Sequence, residues 1–194
     1  MTTAPSVLHP KRVAIIGLDT FGSSLARALA REGFEVAGLD PLRNNLIAPR
    51  EGFKLLRNLE QAVDSSDVVI TCLPDQLLMN ARLCSAETTY GLHGKALISF
   101  NTVQARQASS ARSMGEWARS AHIDYLEISL TGQADSIGQN ECPLMCAGPR
   151  RVYERLKRLC HSLGAPLTYV GSDCGAPLEH WPATLTRHAS AAEQ

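Results

Sequence analysis

Short apolar runs alternate with longer amphipathic stretches between residues 12 and 171. Residues 12–17, RVAIIG, are a β-branched apolar run that ends in glycine, a pattern typical of a buried strand. Residues 22–32 carry apolar side chains at helical spacing, and Gly33 ends that helix. A second apolar run follows at 34–40, so the chain opens with a predicted strand–turn–helix–strand unit.

The same alternation continues along the rest of the chain. Strands are predicted over 52–56, 67–74, 95–101, 123–129, 142–148 and 166–171, and helices over 41–46, 58–66, 75–84, 103–122 and 149–164. Pro143 favours an edge position for its strand, because proline cannot donate to a ladder. Together these elements predict an α/β fold, a Rossmann-type doubly wound, mainly parallel sheet with helices on both faces.

Composition and charge exclude several classes of protein. The 194 residues are 44% hydrophobic, enough for one domain with its own core. Basic and acidic residues number 19 each, so a large basic surface for nucleic acid is not expected. No apolar run is long enough to span a membrane, and the first residues lack a secretory signal. The six scattered cysteines are interpreted as buried thiols rather than disulfides or metal ligands, which favours the cytoplasm.

The turn after the first strand carries candidate chemistry. In a dinucleotide-binding turn the first glycine makes the bend, the second admits the pyrophosphate and the third lets the helix pack closely. Gly17 and Gly22 occupy the first and third places, and Asp19 occupies the second. A carboxylate about 6 Å from a phosphate costs on the order of 3 kcal/mol at an effective dielectric of about 20. The cost is smaller if Asp19 caps the helix or faces solvent.

Asp40 and Arg43, which follow the second predicted strand, indicate different cofactors. Asp40 stands where an acid accepts hydrogen bonds from the adenosine ribose and favours NAD. Arg43 lies three residues further on, where it could meet a 2′-phosphate. The cofactor is therefore predicted to be NADP or NAD. The alternative is that the glycine turn has only a structural role and binds no cofactor, and that Asp40 is a turn or cap residue.

Several stretches together resemble the N-terminal NAD(P)-binding domain of the β-hydroxyacid dehydrogenase and 6-phosphogluconate dehydrogenase superfamily. They are IIGLDTFGSSLARALAREGFEV, SDVVITCLP, GKALISFNT, WARSAHIDYLE and YVGSDCG. The pattern over residues 117–148 is most similar to the imine reductases. The resemblance implies reduction of a C=N or C=O bond with a nicotinamide cofactor. It implies these cofactor-binding residues: Gly17, Leu18, Asp19, Thr20, Phe21, Gly22, Asp40, Arg43, Leu73, Pro74 and Thr102.

The chain departs from the family pattern at several of these positions. Asp19 and Phe21 replace a glycine and a methionine of the family turn. Asp40 begins the stretch where the family often has Asn-Arg-Thr, which puts a preference for NADP in question. The Ser-Thr pair that the hydroxyacid branch uses near the substrate appears as Asn101-Thr102. Both side chains can still hydrogen-bond a ligand, but each is interpreted as a turn residue rather than a catalytic one. No catalytic residue is assigned.

The C-terminal part is short for this family. The predicted organisation is an extension over 1–11, a binding domain over 12–175 and a tail over 176–194 that replaces the family's helical domain. His180 lies near the expected start of that domain, and the family's lysine is absent there. Three hypotheses follow: a reductase domain that needs a partner, a nucleotide-binding or interaction protein without catalysis, and a small reductase that acts as a dimer. The expected partners are a dinucleotide and a helical protein or a second copy.

Overall fold

A computed structural model describes residues 10–41, 53–73, 76–101, 108–130, 144–163 and 166–179. These residues form a single eight-stranded sheet with the strand order β3-β2-β1-β4-β5-β6-β7-β8. The strands are β1 (Arg12–Ile16), β2 (Glu35–Leu39), β3 (Lys54–Leu55), β4 (Val68–Thr71), β5 (Ala96–Asn101), β6 (Asp124–Leu130), β7 (Leu144–Ala147) and β8 (Leu167–Gly171). Every neighbouring pair is parallel except β6 and β7.

Helices cover both faces of this sheet. They are α1 (Thr20–Arg31), α2 (Leu59–Asp64), α3 (Gln76–Leu83), α4 (Ala86–Leu92), α5 (Ala108–Ser120), α6 (Arg150–His161) and α7 (Ala176–Glu179). Alternate residues of β1 enter two separate apolar clusters. Val13 and Ile15 belong to the cluster that includes residues of α1 and α6, while Ala14 and Ile16 belong to the cluster that includes residues of α2, α4 and α5. The prediction of a Rossmann-type α/β fold is therefore confirmed.

Three local predictions differ from the structure. Helix α4 was not expected, because its sequence AETTYGL contains two threonines and a glycine, which are weak helix formers. Strand β7 lies between β6 and β8 rather than at an edge, so the inference from Pro143 was wrong. Helix α1 begins at Thr20, two residues earlier than predicted, because Asp19 caps it. Pro143 itself and residues 42–50 lie outside the described residues.

Among the described residues, no helix is long and apolar enough to cross a bilayer. The described cysteines are all free thiols, and four of them are buried: Cys72, Cys146, Cys160 and Cys174. Cys84 is exposed, contrary to the expectation of buried thiols. Within the described part of the chain no group of three or more potential metal ligands is found. The predicted boundaries at residues 11 and 175 remain predictions.

Candidate functional site

The strand order reverses direction beside β1. The chain passes from β1 through α1 to β2 on one side, and returns to β4 on the other side of β1. Because these strands are parallel, their carboxyl ends share one edge of the sheet. In open α/β sheets, ligands bind outside the carboxyl ends of the strands at such a switch point. Gly17, Asp40 and Leu73 follow β1, β2 and β4, so three predicted site residues lie at this edge.

The two glycines of the turn fill the structural roles that the sequence predicted for them. Gly17 has a φ of +100°, and its N–H donates to the carbonyl oxygen of Leu39 at 2.8 Å. A Cβ on Gly17 would lie 2.7 Å from the carbonyl oxygen of Cys72. A Cβ on Gly22 would lie 1.8 Å from the carbonyl oxygen of Gly17. A side chain at Gly17 or Gly22 would clash with backbone atoms, so only glycine at these positions lets α1 begin this close to β1.

Asp19 is the N-cap of α1. Its backbone is extended, and its Oδ1 accepts a hydrogen bond from the Gly22 N–H at 2.9 Å. The side chain is exposed, so the carboxylate satisfies one N–H at the helix start while it stays in water. The N–H groups of Thr20 and Phe21 donate to no acceptor among the described residues. Two donors and the positive end of the helix dipole are thus left for an anion beside Asp19.

The negative charge of Asp19 also acts on the buried Cys72 thiol beside the glycine turn. Burial raises the pKa of the Cys72 thiol well above its ordinary value, and the negative charge of Asp19 raises it further. The predicted side chains Leu18 and Phe21 point into the core, with exposed fractions of 5% and 4%. The Phe21 ring packs against Phe100, with ring centroids 5.4 Å apart. Leu18 and Phe21 can therefore offer only backbone atoms to a ligand.

Asp40 borders a cavity at the carboxyl end of β2. The side chain is 8% exposed, and the cavity has a volume of about 650 Å³. Buried apolar side chains of Leu39, Leu56 and Met79 line part of it. The exposed arginines Arg57 and Arg82 line another part. A half-polar cavity with the carboxylates of Asp40 and Glu60 and two guanidinium groups at its wall is suited to a nucleoside.

Of the predicted site residues Leu73, Arg43, Pro74 and Thr102, only Leu73 lies among the described residues. Leu73 is 9% exposed, and its Cδ2 would lie 3.0 Å from a Cβ on Gly17, so it packs directly on the turn. Arg43, Pro74 and Thr102 lie outside the described residues. Whether Arg43 meets a 2′-phosphate therefore stays a prediction.

A buried polar cluster between β5 and β6 was missed by sequence reasoning. Asn101 is the last residue of β5 and is 1% exposed, so it is a strand residue and the expectation of a turn residue was wrong. Its Nδ2 donates to Oε1 of Glu127, which is fully buried. The Tyr125 hydroxyl donates to Oε2 of the same carboxyl at 2.5 Å. Burial raises the pKa of Glu127 from 4.5 to about 8, against hydrogen bonds from Tyr125 and Ser99 that lower it.

A signal for this cluster exists in the sequence. Tyr125, Glu127 and Ser129 alternate with apolar residues along the run DYLEISL, so they share one face of a strand that is buried throughout. An acid in the middle of such a strand must find partners in the neighbouring strand. The register supplies them, since Ser99 pairs with Glu127 and Asn101 pairs with Ser129.

The strand order, the glycine turn and the acid after β2 define a dinucleotide-binding domain. A family model for the NAD binding domain of 6-phosphogluconate dehydrogenase matches residues 12–171. The chain belongs to this family. It is an NAD- or NADP-binding domain of the hydroxyacid dehydrogenase and imine reductase type.

Two curated relatives cover most of this chain. The 2-hydroxy-3-oxopropionate reductase of Escherichia coli is 25% identical over 170 residues, which are 84% of this chain and 55% of that protein. The NADPH-dependent reductive aminase of Aspergillus oryzae is 22% identical over 178 residues, 91% of this chain and 58% of that protein. The chain therefore spans little more than half the length of these relatives.

Solved imine reductases have the same fold. A variant of the Myxococcus stipitatus enzyme in complex with NAD+ superposes with a TM-score of 0.84 at 26% identity, covering 94% of this chain and 62% of that chain. The enzyme from the same organism in complex with NADP+ gives 0.80 at 25% identity, covering 93% and 62%. The predicted resemblance to imine reductases is thereby confirmed.

Proposed function

We propose that this chain is the cofactor-binding half of a reductase that acts on C=N or C=O bonds. The observation that carries the proposal is the glycine turn, in which Gly17 and Gly22 hold the start of α1 against β1. The N–H groups of Thr20 and Phe21 then bind the pyrophosphate of a nicotinamide dinucleotide. When bound, the cofactor supplies the hydride, and the residues of this chain orient it.

The two halves of the cofactor lie on opposite sides of β1. The adenosine half occupies the cavity beside Asp40, where the carboxylate accepts hydrogen bonds from the ribose hydroxyls. The planar guanidinium groups of Arg57 and Arg82 are suited to contact the adenine ring. The nicotinamide half extends over the carboxyl ends of β4 and β5.

Asp40 favours NAD over NADP. A 2′-phosphate would place two negative charges beside a carboxylate that is 8% exposed, where water screens the repulsion weakly. We expect the chain to bind NADH about tenfold more tightly than NADPH, and Asp40→Ser to remove most of that difference. The measurement is a fluorescence titration with each reduced cofactor.

Glu116→Ser is the matched control for this titration. It removes one negative charge from an exposed position on α5, away from the cavity. The control should keep the preference for NADH. Equal affinity for the two cofactors in the unsubstituted chain would reject the role given to Asp40. Absence of binding by both cofactors at millimolar concentration would reject the proposed function itself.

Catalysis requires protein beyond the described residues. The relatives are longer than this chain by more than a third of their own length. We expect the substrate side of the pocket to be completed by protein outside these residues, such as a helical partner or a second copy of this chain. The location is the cytoplasm, where the buried free thiols stay reduced.

A further inference from the structure

Strand β8 forms one edge of the sheet, and no described strand lies on its outer side. On its inner side it pairs with β7, where the N–H of Leu144 donates to the carbonyl oxygen of Pro166 at 2.7 Å. Successive residues of a strand direct their N–H and C=O groups to opposite sides, so those of Leu167 and Tyr169 point away from β7. The register shift in this pairing comes after Tyr169, so the outward groups lie on a regular stretch of strand.

The sequence of β8 lacks the features that usually protect an edge strand. Natural edges are short, or carry charged residues or proline, which discourage pairing with another chain. Strand β3 at the opposite edge fits this rule, because it has two residues and begins with Lys54. Strand β8 has five residues, LTYVG, and contains neither a charged residue nor proline. It is exposed at Thr168 and half-buried elsewhere, so the backbone of an added strand can reach it.

Helix α6 places basic side chains beside this edge. The Tyr169 ring packs on Tyr153 of α6, with ring centroids 4.8 Å apart, so α6 covers the face of the sheet to which Tyr169 points. The guanidinium carbon of Arg150 lies 5.0 Å from the centroid of the Tyr169 ring, and Arg150 also pairs with Glu154. Lys157 is exposed and follows Arg150 by about two helical turns, so it lies on the same side of α6.

The charge of α6 indicates which kind of strand fits this edge. The helix contains five arginine or lysine residues and one glutamate. If a second copy of the chain paired its own β8 there about a two-fold axis, the two α6 helices would lie on the same face of the joined sheet. Their basic surfaces would then repel each other, whereas an acidic strand would be attracted to the same surface.

We propose that the outer edge of β8 binds an extended acidic segment of a partner protein, which joins the sheet as an added strand. The backbone groups of Leu167 and Tyr169 hydrogen-bond this segment, and every second side chain of the segment faces α6. Acidic residues at those positions meet Arg150 and Lys157. The inference does not depend on the proposed function, because four strands separate β8 from β1 and its glycine turn.

The test is a titration of the chain into a fluorescent hexapeptide of alternating glutamate and valine, followed by anisotropy. The alternation puts all glutamates on one face of the added strand. This peptide should bind about tenfold more tightly than the same peptide with lysine in place of glutamate, and the difference should shrink as salt rises. Equal binding of the two peptides, or no binding of the glutamate peptide at millimolar concentration, would overturn the inference.

Lys157→Glu tests the contribution of charge, and Lys54→Glu is its matched control. Both substitutions reverse the charge of an exposed lysine, but Lys54 lies on β3 at the other edge of the sheet. Lys157→Glu should weaken binding of the glutamate peptide about fivefold, and Lys54→Glu should leave it unchanged. If the two variants bind the peptide equally well, the acidic segment does not lie beside α6 and the inference is rejected.

Leu167→Pro and Leu167→Ala together test the backbone pairing. Proline removes the outward N–H and leaves the hydrogen bonds to β7, whereas alanine shortens the same side chain and keeps the N–H. Leu167→Pro should bind the glutamate peptide about fivefold more weakly than Leu167→Ala. Equal binding by the two variants would show that the peptide does not pair with β8. A dimer of the unsubstituted chain that Leu167→Pro dissociates would assign the edge to a second copy and overturn the inference.

Discussion

Gly22→Ala is expected to lower the free energy of unfolding by about 3 kcal/mol and to abolish dinucleotide binding. The added Cβ would lie 1.8 Å from the carbonyl oxygen of Gly17, which is backbone and has no rotamer to relieve the clash. Helix α1 must therefore move away from β1, and the N–H groups of Thr20 and Phe21 move with it. Urea unfolding followed by circular dichroism measures the first effect, and titration with NADH measures the second.

Gly33→Ala separates this clash from the general cost of losing a glycine. Gly33 follows α1 with a φ of +84°, and nothing lies within 4 Å of its Cβ position. The substitution costs about 1 kcal/mol, the penalty of a left-handed conformation in a residue with a side chain, and should leave NADH binding unchanged. If Gly22→Ala is no more destabilising than Gly33→Ala, position 22 has no backbone clash, and the inference that α1 begins in close contact with β1 is rejected.

Asp19→Asn is expected to tighten NADH binding about fivefold. The asparagine side chain keeps an oxygen that can accept from the Gly22 N–H, so the cap survives while the charge is removed. Because Asp19 is exposed, its repulsion of a pyrophosphate about 6 Å away is screened to about 1 kcal/mol, between the limits for a dielectric of 20 and of 80. The measurement is a NADH titration at low and high salt, where the gain should shrink as salt rises.

Asp19→Gly tests whether the cap itself hinders the cofactor. Glycine at an N-cap costs only a few tenths of a kcal/mol of stability, and it also frees the Gly22 N–H. We expect Asp19→Gly to bind NADH at least as tightly as Asp19→Asn. Unchanged affinity in both variants would show that Asp19 does not oppose the phosphate. Weaker binding in both would show that the carboxylate contributes to the site.

The fold and the glycine turn were accessible from the sequence because both depend on local patterns. The β-branched run before Gly17 and the helical spacing after Gly22 fix a strand, a turn and a helix with little help from the rest of the chain. The role of Asp19 was less accessible. Its position suggests either a cap or an obstacle to phosphate, and only the N–H of Gly22 at 2.9 Å identifies the cap.

Long-range pairing decided the features that the sequence did not reveal. Strand β7 is interior because β8 pairs with it, a contact between segments that no local pattern links. Asn101 stands at the end of an apolar run and looks like a turn residue, whereas Glu127 of the next strand holds its amide in the core. Buried polar clusters of this kind depend on register, which periodicity alone does not specify.

The location of the cofactor can be observed in the 15N-labelled chain by following backbone amide chemical shifts as NADH is added. The amides of Gly17, Thr20, Phe21 and Gly22 should shift together and saturate with one dissociation constant. The amides near His93 and His122, at the opposite edge of the sheet, should not follow that curve. No saturable shift at the turn with millimolar NADH, or the largest shifts near the two histidines, would contradict a dinucleotide site at the glycine turn.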